Sequence, residues 1–158
     1  LYPAMEGGIS RVVSMTAVHN RMAAEHPDLI QRLYESYFFD RQREHADSDE
    51  STIQRPVLSN EDGELRVRIS RNLIYQGYKL VGKAVDQTSE EAIAAWFSIV
   101  DDPAMFKEFF FEPGQIQFVN NRILGHKRTK FTDWPSGERK RHLLRVWLRE
   151  RGPRFYNG

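Results

Sequence analysis

At 158 residues, with 40% hydrophobic and 12% aromatic content, the chain is long and apolar enough for one globular domain with a sizeable core. It contains no cysteine, which excludes a disulfide framework and a thiolate metal site, and no apolar run approaches the roughly 18 residues of a membrane span. The net charge of +1 is unevenly spread: from Lys127 to Gly158, ten Lys/Arg stand against three Asp/Glu, which leaves −6 for the remainder. A soluble protein of the reducing cytoplasm is expected, without a membrane partner.

In chain order, Leu1 to Met5 begins as if in mid-element, so an earlier part is expected upstream. Gly7-Gly8 signals a turn, and Arg11 to Met15 reads as a short apolar strand. Ser14 and Thr16 are caps for a helix reaching about Ala24, and Pro27 suits the first turn of a second helix ending near Tyr34. These helices should pack Val18, Met22, Leu29, Ile30 and Leu33. An aromatic strand is expected over Ser36 to Asp40, then a charged, mobile loop from Arg41 to Thr52.

Pro56 to Leu58 and Leu65 to Ile69 flank an Asn-Glu-Asp-Gly turn and predict a half-buried hairpin, since Leu65, Val67 and Ile69 alternate with polar residues. Thr88 to Glu91 reads as a capping box opening a helix whose Ile93, Trp96, Phe97 and Val100 share one face, and Asp101-Asp102-Pro103 stops it. Strands are expected over Met105 to Phe111 and Gln115 to Asn120, about a Glu-Pro-Gly turn. A last strand should place Arg141, Leu143, Arg145 and Trp147 on one face and His142, Leu144, Val146 and Leu148 on the other, with both faces buried. Short strands with one strong helix between them predict a mainly β, jelly-roll type structure with helices packed outside, the strong helix through Trp96 and Phe97.

The chemistry concentrates between Gly114 and Trp147. A histidine, His126, and two arginines, Arg141 and Arg145, can reach one pocket if the segments carrying them are paired strands. Imidazole is the commonest protein ligand of catalytic transition metals, and an arginine fork matches a carboxylate with two parallel bonds. His19, His26 and His45 lie in helical or charged-loop sequence, where solvated or capping roles are expected, and His142 reads as a packing residue pointing away from the arginines. A basic end can also mark nucleic-acid binding, but no groove-reading motif or aromatic stacking platform accompanies the charge, so nucleic acid is not expected as a partner.

The string Asn120, Asn121, His126, Arg128, Thr129, Phe131, followed by Arg139, Arg141, His142, Leu143, Leu144, Arg145, Trp147 and Leu148, resembles the C-terminal half of iron(II)/2-oxoglutarate oxygenases of the taurine dioxygenase and gamma-butyrobetaine hydroxylase type. Gly7-Gly8-Ile9-Ser10 resembles that family's Gly-Gly-x-Ser/Thr turn, and Pro27-Asp28-Leu29, Leu33-Tyr34-Glu35 and Asn60 to Gly63 follow in the family's order.

The resemblance implies a double-stranded β-helix of the clavaminate synthase-like kind, incomplete at its N-terminus. It also implies Fe(II) as cofactor and 2-oxoglutarate as cosubstrate, consumed to succinate and CO2 while a small-molecule substrate is hydroxylated. His126 takes the place of the distal iron ligand, Arg141 that of the arginine gripping the distal carboxylate of 2-oxoglutarate, and Ser10 that of its hydroxyl partner. Arg145 should line the same pocket, and Arg128 is a substrate-binding candidate. Gly125 stands where the family usually has leucine, and a glycine there admits a bulge. The family's first histidine and carboxylate come from a His-x-Asp/Glu motif ahead of the Gly-Gly turn; Leu1 to Glu6 contains none, so this chain alone is expected to be inactive. A non-catalytic relative that keeps an anion-binding pocket is the alternative, and a homo-oligomer is admitted by either.

Overall fold

The computed structural model describes residues 3–135, 137–146 and 148; Trp147 and the basic residues Arg149, Arg151 and Arg154 lie outside the described residues. Strands and helices are both present, as the sequence predicts. The strands are β1 (Glu6–Gly7), β2 (Ser10–Ser14), β3 (Ser36–Asp40), β4 (Thr52–Pro56), β5 (Leu58–Glu61), β6 (Glu64–Val67), β7 (Phe106–Phe109), β8 (Leu124–Arg128) and β9 (Phe131–Thr132). The α-helices are α1 (Met15–Glu25), α2 (Pro27–Leu33), α3 (Arg71–Leu80) and α4 (Gln87–Val100). The strands lie in four small antiparallel sheets, β7-β2-β8, β1-β9, β3-β4 and β5-β6.

Local chemistry accounts for most boundaries. Ser14 ends β2 and caps α1, its Oγ accepting the Ala17 N–H at 3.3 Å. Pro27 occupies the first turn of α2, where its missing N–H costs nothing. The tight turn between β5 and β6 has both Asp62 and Gly63 at positive φ, a conformation that Asp tolerates and Gly adopts freely. Val18 and Met22 on α1, Ile30 and Leu33 on α2, and Ala92, Ile93, Trp96 and Ile99 on α4 are all buried in one core.

Several expectations change on contact with the fold. Helix α4 is capped by Asp86, which accepts the Ser89 N–H at 2.9 Å and the Ser89 hydroxyl at 2.6 Å; Ser89 is fully buried as the first-turn partner of that cap, the third residue of the helix, not the opening residue of its own box. α4 packs on α1 and α2, with Trp96 fully buried and Phe97 only partly. Thr52–Pro56 pairs with β3 and extends the aromatic strand into a hairpin, whose connecting loop is anchored by Arg41 bonding to Glu50 O and Asp49 Oδ2. Helix α3, which no sequence expectation covers, lies against β3.

Gln115 to Asn120 forms no strand, and Ile116 and Phe118 are each 79% exposed. Residues 142–146 likewise form none: Leu144 is 79% and Val146 76% exposed, so the expectation of two buried faces fails. Alternation shows which side chains would share a face, but a strand also needs a neighbour for its N–H and C=O groups, and these segments meet none among the described residues.

Tyr37 illustrates how the core responds to pH. Burial pushes its phenol up to about 12, against which the nearby Arg32 guanidinium, 4.2 Å above the ring, acts only partly. Its hydroxyl sits beside Ser89 without a well-formed hydrogen bond. Stability is unaffected while both states keep the proton; it falls once the unfolded phenol ionises near 10.0 and the folded one does not. The full loss by pH ~12 amounts to about 2–3 kcal/mol. Tyr37→Phe should abolish that part of the alkaline loss in urea unfolding at pH 9 and pH 11.5. An identical loss in both proteins would mean that Tyr37 does not titrate as a buried phenol.

Candidate functional site

The three-stranded sheet has two unlike faces. β2 pairs with β8 in continuous register, Ser10 opposite Arg128, Val12 opposite His126 and Val13 opposite Gly125. Opposed residues of an antiparallel pair project to the same side, and successive residues of a strand to opposite sides. Val13, Gly125 and Phe106 therefore face the helices, while Ser10, Val12, His126, Arg128, Lys107 and Phe109 share the other face. There is no bulge at Gly125. Its lack of a side chain makes room for Met15, whose Cε would fall 1.8 Å from a Cβ built there, and this leaves the alternation that aims His126 undisturbed.

His126 lies within β8 and is one of its exposed residues. Burial, and then the positive charge of Arg145, hold its pKa below the ordinary imidazole value. Both effects favour the neutral ring, the form that can donate a lone pair to a metal. Ser10 opens β2 and is 8% exposed, directly across from Arg128.

Arg141 reaches this neighbourhood from beyond a 3-10 turn at Gly137–Arg139. Its backbone N–H donates to Asp133 Oδ1 at 2.8 Å, and its guanidinium lies 5.5 Å from the centroid of Phe131, over which Arg128 also sits at 4.0 Å. Burial and the charge of Arg128 lower the Arg141 pKa, and Asp133 opposes them. A guanidinium whose charge is disfavoured by a second one beside it forms a ready site for an anion. A shallow cleft beside them is lined by Gly7, Gly8, Phe111, Gly114, Arg141 and His142. His142 thus lines the same cleft as Arg141, and strand alternation does not set its direction, because the segment is not a strand.

Of the five sequence candidates, Ser10, His126 and Arg128 share one sheet face; Arg141 lies with Arg128 over the Phe131 ring, and Arg145 is near enough to His126 for its charge to be felt there. Sequence reasoning assigned no part to Asp133 or to the ring of Phe131, and saw in Gly7-Gly8 only a turn. Both glycines have positive φ, and a Cβ at Gly8 would stand 3.3 Å from Arg141 Nε, so the pair admits the guanidinium as well as turning the chain. The other histidines are engaged elsewhere: His19 bonds Asn20 and Tyr34, His45 meets the Ala46 carbonyl, and the His26 backbone N–H bonds Met22 O at the junction of α1 and α2.

Iron and a 2-oxo-acid make different demands on these residues. Among the described residues no three His, Asp or Glu side chains come together, so His126 offers one ligand and not a complete iron site. The carboxylate side fits better, with a buried hydroxyl-bearing residue and paired guanidiniums on one face. Among the described residues no helix is long and apolar enough to cross a membrane.

The profile of the taurine catabolism dioxygenase TauD, TfdA family matches residues 1–147. FR-33289 synthase of Streptomyces rubellomurinus is 27% identical over 159 residues, an alignment covering 98% of this chain and 47% of the relative. Taurine hydroxylase-like protein SAT17 of Stachybotrys chartarum is 29% identical over 144 residues, covering 89% of this chain and 36% of the relative. The chain spans less than half the length of either.

Proposed function

The chain belongs to the TauD/TfdA dioxygenase family, and from that premise we propose that it carries the 2-oxoglutarate grip and the distal metal ligand of an iron(II)-dependent oxygenase that hydroxylates a small molecule. The observation behind this reading is the sheet face on which Ser10, His126 and Arg128 stand together with Arg141 and Arg145 beside them. In the same reading, the small sheets are parts of a double-stranded β-helix. An oxygenase built on this chain needs two further iron ligands, and the greater length of the relatives leaves room for them.

Iron and 2-oxoglutarate, when bound, supply the oxidising chemistry in which decarboxylation to succinate and CO2 is coupled to hydroxylation. The residues of this chain do the holding. His126 stays neutral near pH 7 and presents one nitrogen from a rigid strand. Arg141 and the Ser10 hydroxyl receive the distal carboxylate of 2-oxoglutarate, since a carboxylate leaving water needs charged and hydrogen-bonding donors together. After burial, the charge of Arg145 further favours the neutral His126 ring, and it adds positive charge at the pocket. Arg128 completes the cationic wall toward the substrate or cosubstrate.

His126→Ala in a protein carrying this chain with its remaining ligands should reduce 2-oxoglutarate-dependent succinate release by at least about 100-fold, with the fold intact by circular dichroism. Undiminished release would remove His126 from the metal and with it the reading of this face.

A further inference from the structure

Phe131 is left without a role by the function proposed above. It belongs to the short strand β9, is only partly buried, and stands outside the hydrophobic core. Its ring is nevertheless a surface that both arginines share: the Arg128 guanidinium lies 4.0 Å and that of Arg141 5.5 Å from its centroid. Both are within the range at which the negative face of an aromatic ring attracts a cation.

The surroundings hold this arrangement from behind. Phe131 pairs with Gly7 across β1-β9, and a Cβ at Gly7 would fall 2.2 Å from Lys130 O. A Cβ at Gly8 would stand 3.5 Å from Phe131 Cβ and 3.3 Å from Arg141 Nε. The glycine turn thus lies beside both the ring and the guanidinium, and a side chain at Gly8 would crowd them. Asp133 fixes the Arg141 backbone, not its fork. Among the described residues, the ring of Phe131 is the group within cation–π range of the fork.

We propose that Phe131 is a positioning residue whose ring face holds Arg128 and Arg141 in one orientation, so that they meet a carboxylate of 2-oxoglutarate as a preformed pair. The inference rests on the function proposed above. Long arginine side chains lose rotamer freedom on binding an anion, and a ring that restricts them beforehand lowers that loss. It also offsets part of the repulsion between two like charges brought together.

The test uses a protein that carries this chain together with its remaining iron ligands, isotopically labelled, and reads arginine side-chain resonances by NMR with 2-oxoglutarate as the probe. In the free protein the δ-protons of Arg128 should be shifted upfield by the ring current of Phe131. That shift should vanish in Phe131→Leu and persist in Phe131→Tyr. Phe131→Leu should bind 2-oxoglutarate about five- to tenfold more weakly, and Phe131→Tyr within about twofold of the parent. Should Phe131→Leu fail to fold, pentafluorophenylalanine at position 131 keeps the ring's size while removing its negative face, and the same weakening is expected.

Unchanged binding in Phe131→Leu or in the fluorinated protein, while Arg141→Ala still weakens it, would overturn the role of Phe131 and leave the cosubstrate site standing. A parent chain that shows the ring-current shift but no saturable response to 2-oxoglutarate would overturn both.

Discussion

Gly77→Ala should destabilise the protein by about 2–3 kcal/mol, although the same exchange within an exposed helix stabilises by about 1 kcal/mol. Gly77 is where α3 touches β3. A Cβ there would lie 2.4 Å from Phe38 O, 2.6 Å from Phe38 C and 2.8 Å from Phe39 N, all of them backbone atoms that cannot swing aside. To admit a methyl group the helix must lift from the strand, loosening the buried Ile74 and the edge-to-face contact of Tyr78 with Phe38, whose centroids are 5.3 Å apart. The neighbouring Gln76 is exposed, so Gln76→Ala should stay within about 0.5 kcal/mol of the parent. Urea unfolding of both variants decides the matter. A Gly77→Ala protein more stable than the parent would mean that helix and strand are not so closely packed.

For function, the largest effect on cosubstrate binding is expected from Arg141→Lys in a complete enzyme: the apparent Michaelis constant for 2-oxoglutarate should rise about tenfold or more, with a smaller change for the primary substrate. Lysine keeps the charge but loses the planar fork and its stacking on Phe131. The basis for this expectation is not the one the sequence suggests. A guanidinium buried between two apolar faces would demand an anion, but Leu143 is 44% exposed and its neighbours more so. What marks Arg141 is its company: Arg128 on the same ring, Gly8 against its Nε, and Asp133 on its backbone amide. The Asp133 bond to the backbone survives the exchange to lysine, so a change in cosubstrate affinity can be assigned to the side chain. Equal effects on both Michaelis constants would make Arg141 a structural residue and put the cosubstrate elsewhere.

The sequence alone determined those parts of the protein whose cause is local. Ser14, Pro27 and Asp101-Asp102-Pro103 mark helix ends within a few residues of where they stand, the Asp62-Gly63 turn closes its hairpin, and Ser36–Asp40 is a strand as its aromatic run predicts. The family was legible as well, because the residues from His126 to Phe131 and from Gly7 to Ser10 keep their spacing along the chain.

Tertiary structure decided the rest, and for one physical reason: periodicity states which side chains share a face but not what covers it. Gln115 to Asn120 alternates like a strand and is not one, for want of a neighbour among the described residues. Helix α3 finds its place through Gly77, whose value lies in a backbone contact with a strand far away in the chain. Arg145 acts on His126, and Phe131 lies beneath Arg128 and Arg141, only because strand pairing and the Gly7-Gly8 turn bring these segments together.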